Sequence, residues 1–230
     1  MFTLAQVVPW GRSFDEYRHM FALTEEECRL NILGCADGPA SFNAEATRAG
    51  ANVVSCDPLY GWDAIQIQER IAATYETMLE QTRQNASEFV WSNIRSIEEL
   101  GQVRMSAMQA FLDDFASGKV EGRYVEAELP TLPFAAASFD VGLCSHFLFL
   151  YTIQLGEAFH RSAILEMCRV AKDVRIFPLL ALGGRQSPYV DHAVEYLPTL
   201  GFDAALVKVP YEFQRGGNHM LRIRKTSADG

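Results

Sequence analysis

Short apolar runs alternate along most of the chain with longer stretches in which apolar residues recur at helical spacing. The short runs predict seven strands, over residues 30–34, 52–57, 123–128, 139–145, 174–180, 204–209 and 219–224. The longer stretches predict helices over residues 39–49, 62–84, 97–115, 156–171 and 188–200. The pattern therefore indicates a protein built from both kinds of element.

The order of these elements predicts the fold class. Strands that alternate with helices form a parallel sheet with helices on both faces, and two final strands without a helix between them form an antiparallel hairpin. We expect an α/β protein with a doubly wound, mostly parallel seven-stranded sheet, in the order βαβαβαβαβαββ after N-terminal helices. No repeat or linker divides the chain, so residues 1–230 are predicted to form one domain, with an N-terminal helical cap over 1–29 and a helical insertion over 85–121.

Composition and charge exclude several classes of protein. With 230 residues, of which 49% are hydrophobic, the chain can form its own core and is neither disordered nor fibrous. Its 20 Lys and Arg stand against 29 Asp and Glu. This acidic balance disfavours a nucleic-acid partner, because proteins that bind phosphate backbones carry a basic face.

The sequence also predicts where the protein works. The chain starts without the basic head and apolar stretch of a signal peptide, and no apolar run is long enough to span a bilayer. The five cysteines form neither a CxxC pair nor a cluster with histidine, which indicates reduced thiols. We therefore expect a cytoplasmic protein with no membrane association, disulfide or zinc site.

The turn after the first strand is the first candidate ligand site. Gly34, Ala36 and Gly38 are small enough for a tight turn, and Pro39 suits the first position of a helix whose N-terminal amides face that turn. Asp57 ends the second strand, at a spacing where a carboxylate accepts both hydroxyls of a nucleoside ribose. Each feature alone also fits an ordinary strand-to-helix connection or a helix cap. Together they favour a nucleoside ligand.

Two details of this turn indicate which nucleoside. The spacing G-x-x-x-G lacks the full G-x-G-x-x-G of dinucleotide-binding proteins, and Asp37 would repel a pyrophosphate. A cationic nucleoside without phosphate is therefore favoured. An NAD-dependent oxidoreductase stays as the less favoured alternative, supported by the acid after the second strand.

Four motifs then appear in order, within the segments LNILGCADGPASF, VVSCDPLY and YVEAELPTLPFAAASFDVGLCSHFLFLY. They resemble the motifs of class I S-adenosylmethionine-dependent methyltransferases, most closely the small-molecule branch that includes quinone-biosynthesis enzymes. The resemblance covers about residues 30–180, and the closing hairpin is similar to the family's reversed last strand. It implies a Rossmann-like fold, S-adenosylmethionine as cofactor and methyl transfer to an unidentified small molecule.

The resemblance also implies roles for individual residues. The implied cofactor-binding residues are Gly34, Cys35, Ala36, Asp37 and Gly38 around the methionine part, Asp57 at the ribose, Pro58, Leu59, Glu128 and Leu129 at the adenine, and Ser145 and His146 near the methionine end and the substrate. Ile32 stands where the family usually has an acid, and Ala36 replaces the middle glycine. The missing acid at Ile32, with a general base that the sequence does not fix, keeps open a non-catalytic S-adenosylmethionine-binding module of the same fold.

Catalysis and acceptor binding have fewer signals. His146 follows the strand that borders the methyl group and is the candidate general base, although a packed or capping histidine is the alternative. Tyr151, Arg185, Tyr189 and Tyr211 are candidate substrate-binding residues, and Arg185 could pair with a carboxylate or phosphate. No carboxylate cluster with the spacing of a metal site is present, so no metal is expected.

Two segments have open roles. The N-terminal segment, with Trp10 and Arg12, could cover the cofactor or pack on the sheet. The insertion over 85–121 is longer than a crossover requires, and it could form a substrate lid or the surface of a homodimer.

Overall fold

Seven strands pair into one sheet in the computed structural model, which describes residues 8–226. In chain order the strands are β1 (Asn31–Cys35), β2 (Asn52–Cys56), β3 (Tyr124–Val125), β4 (Phe139–Ser145), β5 (Ala171–Phe177), β6 (Phe202–Lys208) and β7 (His219–Lys225). Their order in the sheet is β3-β2-β1-β4-β5-β7-β6. The five neighbouring strands β3, β2, β1, β4 and β5 are parallel to one another. β7 runs antiparallel to both of its neighbours, β5 and β6. The predicted fold class is confirmed.

Within residues 8–226, six α-helices connect or precede the strands. They are α1 (Phe14–Met20), α2 (Phe42–Arg48), α3 (Ala64–Gln84), α4 (Ile97–Val120), α5 (Thr152–Val170) and α6 (Pro188–Tyr196). Capping boxes begin α1 and α3, where Ser13 pairs with Glu16 and Asp63 pairs with Gln66. Each box satisfies backbone N–H groups that the first helical turn leaves without partners.

Alternation along the strands divides the core between the two faces of the sheet. Ile32 and Val141 belong to a buried cluster with α1 and α2, while Leu33 and Cys144 belong to a second cluster with α5 and α6. A third cluster around Tyr60 joins α3 to α4. Helices therefore cover both faces, as a doubly wound sheet requires.

The structure corrects the predicted order of elements between β3 and β4. The predicted order places a helix there, but residues 126–138 of the described chain connect the two strands without one. The strand predicted over 123–128 is also shortened to Tyr124–Val125. The neighbouring strand β2 ends at Cys56, and the next residue, Asp57, begins a 3-10 turn. Residues 126–128 therefore have no strand beside them with which to pair.

Other boundaries shift for local reasons. β5 begins at Ala171 directly after α5 and ends at Phe177, because Pro178 has no N–H to donate to the sheet. α5 begins at Thr152, four residues before its predicted start, and kinks at Gly156, whose φ is 69°. α4 continues to Val120, five residues past its predicted end.

The predicted domain plan includes an N-terminal cap and an internal insertion. Of the helical cap over residues 1–29, residues 1–7 lie outside the described part of the chain, and the rest contains α1 and a 3-10 turn over Glu27–Arg29. The insertion over 85–121 contains a 3-10 turn and α4, and α4 packs on α2 and α3.

Candidate functional site

A cavity of about 680 Å³ opens at the carboxyl ends of β1, β2 and β4. We call it the larger cavity. Among the residues that line it are all of the predicted cofactor-binding residues except Gly34 and Cys35, namely Ala36, Asp37, Gly38, Asp57, Pro58, Leu59, Glu128, Leu129, Ser145 and His146. Ligands of open α/β sheets bind at this edge, so the motifs converge where the fold can use them.

Gly34 and Cys35 lie within β1 rather than in the cavity wall. Gly34 has a steric role, because a Cβ added there would stand 1.7 Å from the Asp37 Oδ2 atom. The Asp37 carboxylate occupies that space and accepts hydrogen bonds from the Tyr17 hydroxyl at 2.8 Å and the Ser55 hydroxyl at 2.7 Å. Gly34 thus makes room for the group that ties the turn to β2 and α1.

Asp57 joins the end of β2 to the same turn. Its carboxylate accepts the N–H of Gly38 at 2.9 Å and the N–H of Leu59 at 2.8 Å. Gly38 has a φ of 52°, in the left-handed region that glycine adopts at least cost, and its carbonyl accepts the Tyr60 hydroxyl at 2.7 Å. Asp57 therefore caps the 3-10 turn and lines the cavity at the same time.

The two carboxyl groups give the cavity an acidic floor. Burial raises the pKa of Asp37 to about 6 and that of Asp57 to about 6, and the charge of Asp57 adds to the shift at Asp37. Glu128 adds to the shift at Asp57. Within residues 8–226, neither Asp37 nor Asp57 has a Lys, Arg or His side chain at ion-pair distance. At neutral pH the floor favours a ligand with hydroxyl donors or positive charge.

Three residues from two further segments also line the larger cavity. Leu129 and Glu128 reach it from the loop after β3, and Trp62 reaches it from the end of the 3-10 turn that Asp57 begins. Sequence reasoning missed Trp62. Its only signal is its position three residues after Leu59, on the segment that enters the cavity wall.

His146 stands at the inner end of the cavity, directly after β4. It has a φ of 51°, and its N–H donates to the Phe177 carbonyl at 2.7 Å. Its Nδ1 atom lies 3.0 Å from the Ser145 hydroxyl. Burial, with smaller contributions from the charges of Arg12 and Arg104, holds the pKa of His146 well below its ordinary value. The imidazole is therefore neutral at neutral pH, and the same burial and charges oppose its protonation.

The N-terminal segment lines a cavity at its start and packs on the sheet further along. Residues 8–10 and Arg12 line the larger cavity, whereas α1 packs on the sheet next to α2. The segment passes closely over the start of α2, because a Cβ at Gly11 would meet the Pro39 carbonyl at 2.1 Å. The Arg12 carbonyl accepts the Ser41 N–H at 3.0 Å there.

A second cavity of about 90 Å³ adjoins the first. We call it the smaller cavity. Arg12, His146, Trp10 and Val8 line both, and the smaller one is completed by residues from several elements, among them Arg104, Tyr151, Leu182, Phe213 and Gln214. The insertion contributes part of this wall through Phe89, Leu100 and Arg104.

The predicted substrate-binding residues do not come together. Tyr151 lines the smaller cavity, and its hydroxyl accepts the Val8 N–H at 3.3 Å. Tyr211 is near that cavity but its hydroxyl donates to Glu16 at 2.9 Å. Tyr189 packs against the ring of His160, with 4.5 Å between ring centroids, and Arg185 is exposed outside both cavities.

A buried ion pair behind the smaller cavity was not predicted. Arg104 of α4 is fully buried and donates to both carboxylate oxygens of Glu16 in α1, at 2.6 and 2.7 Å. The partners are 88 positions apart in the chain, so no local pattern could have paired them. Glu16 was noticeable only as the third residue of a helix.

Three further features bear on the sequence predictions. All five cysteines are free, and four of them are buried. No three His, Cys, Asp or Glu side chains between residues 8 and 226 are grouped so that they could hold a metal ion. Over the same residues, the helices lack the length and apolarity needed to cross a bilayer.

The strand order and the position of the cavity define the fold class of this protein. The reversed β7 strand, the strand order and the cavity at the carboxyl edge form an α/β Rossmann-like fold, as the motif resemblance implied. This is the fold of the class I methyltransferases. The sequence identifies the family more narrowly. An uncharacterized protein of Methanocaldococcus jannaschii, MJ0045, is 32% identical over 223 residues, which cover 96% of this chain and 98% of MJ0045. The chain belongs to the same family as MJ0045.

Solved structures with a similar fold include several methyltransferases. Magnesium protoporphyrin IX methyltransferase of Synechocystis PCC 6803, solved with bound SAM, has a TM-score of 0.44 and 12% identity, over 92% of this chain and 91% of that one. A SAM-dependent methyltransferase of Aquifex aeolicus has a TM-score of 0.43 and 12% identity, over 91% and 87%. No protein-family profile matches the chain. At these values the similarity concerns the fold alone.

Proposed function

We propose that this protein is an S-adenosylmethionine-dependent methyltransferase that acts on a small molecule. One observation carries the proposal. Residues that the motifs implied, from Ala36 to His146 in the sequence, line a single cavity at the carboxyl edge of the sheet. Motif residues from four separate segments meet in this one wall. The net charge of −9 further supports a small molecule over a nucleic acid.

The donor groups of the larger cavity fit this cofactor. Asp57 would accept the ribose hydroxyls, since a carboxylate that already accepts two N–H groups keeps lone pairs for two further donors. Glu128 and Leu129 would hold the adenine. Asp37, ionised and without a basic partner among residues 8–226, would favour the positive end of the molecule. When bound, S-adenosylmethionine would supply a sulfonium methyl group, which a nucleophile of the acceptor takes up while S-adenosylhomocysteine leaves with the electron pair of the C–S bond.

The contribution of the chain to that displacement is position and proton removal. The cavity would orient the acceptor and exclude water from the reacting atoms. His146 would take a proton from a hydroxyl or amine of the acceptor, since it is neutral and lies where the two cavities meet. Its Nδ1 faces the Ser145 hydroxyl, which leaves Nε2 for the acceptor.

Replacement of His146 by asparagine is expected to slow methyl transfer roughly 10²-fold at pH 7, the lower end of the range for loss of a general base. Asparagine tolerates the left-handed backbone at this position but cannot take up the proton. Affinity for S-adenosylhomocysteine should stay within about threefold. The measurement is transfer of a labelled methyl group to an acceptor found by screening. His192→Asn alters an exposed histidine paired with Glu157 and should leave the rate unchanged; a rate for His146→Asn equal to wild type would remove His146 from the chemistry.

The raised pKa values of the floor predict that cofactor binding releases protons. Ribose hydroxyls donate to ionised Asp57 and lower its pKa, so affinity for S-adenosylhomocysteine should rise from pH 5 to pH 7 and then level off. The stability of the ligand-free protein changes with pH in the opposite direction to the affinity. Because the folded pKa values lie near 6 and above the ordinary 3.8, ionising Asp37 and Asp57 lowers the free energy of unfolding as pH rises between these values.

Calorimetry in buffers of different ionisation enthalpy measures this release. At pH 6 each bound S-adenosylhomocysteine should release a substantial fraction of a proton, and at pH 8 almost none. Affinity that is flat from pH 5 to pH 7.5 would contradict a role for these carboxylates in binding.

The experiment that tests the function is a titration of the protein with S-adenosylmethionine, S-adenosylhomocysteine and NAD. Micromolar binding of the first two and none of NAD is expected. Selective binding of NAD would favour an oxidoreductase instead. Binding of S-adenosylmethionine without turnover of any acceptor would favour the non-catalytic module. A cytoplasmic location and a homodimer remain predictions.

A further inference from the structure

Positive charge collects where the larger and smaller cavities meet. Arg12 and Arg104 both line the smaller cavity, and His146 lies between them and the floor of the larger one. Arg104 is neutralised by Glu16, whose two carboxylate oxygens also accept the Tyr211 hydroxyl at 2.9 Å and the Ser13 N–H at 3.0 Å. Glu16 therefore has little capacity left for a second cation.

Arg12 forms no ion pair within residues 8–226. One of its terminal nitrogens donates to the Trp10 carbonyl at 2.7 Å, but its Nε atom is buried with no acceptor among residues 8–226. No carboxylate of those residues lies within ion-pair distance of Arg12. Burial and the charge of Arg104 lower the pKa of Arg12 to about 10, which leaves it charged at neutral pH. The charge of Glu16 partly offsets this shift, but Glu16 is hydrogen-bonded to Arg104, so two guanidinium groups share one carboxylate. The site is therefore suited to an anionic ligand.

We infer that the methyl acceptor carries a carboxylate, and that Arg12 binds it in the smaller cavity. The inference rests on the proposed function and names the substrate class. A guanidinium matches a carboxylate with two parallel hydrogen bonds. The smaller cavity, of about 90 Å³, has room for a group of this size beside His146. One unpaired arginine also suits a singly charged carboxylate better than a doubly charged phosphate.

The position of the smaller cavity indicates that the carboxylate belongs to the acceptor and not to the cofactor. Of the predicted cofactor-binding residues, only His146 lines the smaller cavity. The rest of its wall comes from the N-terminal segment, α3, the insertion and the segments after β4, β5 and β6. A carboxylate in the smaller cavity thus lies beyond the residues that would hold the adenosine and methionine parts.

The test compares benzoate with its uncharged analogue benzamide. Each is titrated into the protein by calorimetry at constant ionic strength, with and without saturating S-adenosylhomocysteine. Wild type is expected to bind benzoate at least about tenfold more tightly than benzamide, because only benzoate pairs with Arg12. Arg12→Gln should abolish that preference, and Arg12→Lys should restore part of it. Arg185→Gln, at an exposed arginine outside both cavities, should keep it in full.

Two controls identify the source of the carboxylate and the state of the variant. Thermal unfolding establishes that Arg12→Gln is folded. The affinities of each variant for S-adenosylhomocysteine and for 5′-methylthioadenosine, which lacks the amino acid carboxylate, are then compared. Arg12→Gln should leave both within about threefold of wild type.

Three outcomes would overturn the inference. Wild type could bind benzoate no better than benzamide, or Arg12→Gln could keep the preference. Arg12→Gln could also lose affinity for S-adenosylhomocysteine alone, which would assign Arg12 to the carboxylate of the cofactor. Failure of the proposed function would give a different result, because wild type would then bind no S-adenosylhomocysteine. The comparison of benzoate with benzamide in the absence of cofactor would still decide whether Arg12 binds a carboxylate.

Discussion

Replacement of Asp57 by alanine is expected to weaken S-adenosylhomocysteine binding about 10³-fold. The Asp57 carboxylate is fixed by the N–H groups of Gly38 and Leu59, so it meets the ribose hydroxyls without reorganisation. Each hydrogen bond to a charged acceptor contributes roughly 2 kcal/mol, and about 4 kcal/mol for two corresponds to nearly a factor of 10³ in affinity. Calorimetric titration at pH 7.5 measures the change.

Asp63→Ala is the matched control for Asp57→Ala. Asp63 also caps a helix, since its carboxylate accepts the Gln66 N–H at 2.9 Å, but it lines neither cavity. The control should lose about 1 kcal/mol of unfolding free energy with no change in affinity. The ribose role of Asp57 would be wrong if Asp57→Ala bound the ligand within about threefold of wild type, or if Asp63→Ala weakened binding equally.

Glu16→Gln is expected to lower the free energy of unfolding by about 3–5 kcal/mol, the cost of removing one partner from a buried ion pair. Glu16 compensates Arg104, whose side chain is 1% exposed, while its own is 12% exposed. Without the carboxylate, Arg104 and Arg12 would repel each other in a buried setting. Urea unfolding at pH 7 measures the loss.

The pH dependence identifies the ion pair as the cause. The charge of Arg104 and its hydrogen bonds lower the pKa of Glu16 to about 2, below the ordinary 4.5. Its contribution is therefore complete above pH 4.5 and is lost as pH falls from 4.5 towards 2. Wild type and Glu16→Gln should converge in stability over that range. Glu80→Gln breaks an exposed pair with Arg83 and should cost less than about 0.5 kcal/mol; equal losses for Glu16→Gln and Glu80→Gln would contradict the argument.

The parts of the fold that local pattern encodes were predictable. β4 lies at Phe139–Ser145 as predicted, because an apolar run bounded by polar residues defines it without help from elsewhere. The turn around Gly38 and the acid at Asp57 were also found, since both follow directly from strand ends. In each case the information lies within a few consecutive residues.

Features that depend on residues far away in the sequence could not be predicted. β3 is short because β2 ends early, and this concerns a strand some seventy positions away. Arg104 has no feature in its own helix that distinguishes it from an exposed arginine, and Glu16 gives it a buried role from across the chain. Arg185 is the opposite case, because the sequence predicted it to bind substrate. It could do so only if the loop after β5 turned towards a cavity, and the loop instead leaves Arg185 exposed.

The space that Gly34 leaves for Asp37 has a consequence for how this sequence can change. A side chain at position 34 and a carboxylate at position 37 compete for the same volume, so the two positions cannot vary independently. The hydroxyls of Tyr17 and Ser55 complete the set, because without the carboxylate both lose their acceptor. A graft of this turn onto another scaffold would therefore have to carry the four residues together, although they are spread over three elements and the turn between them.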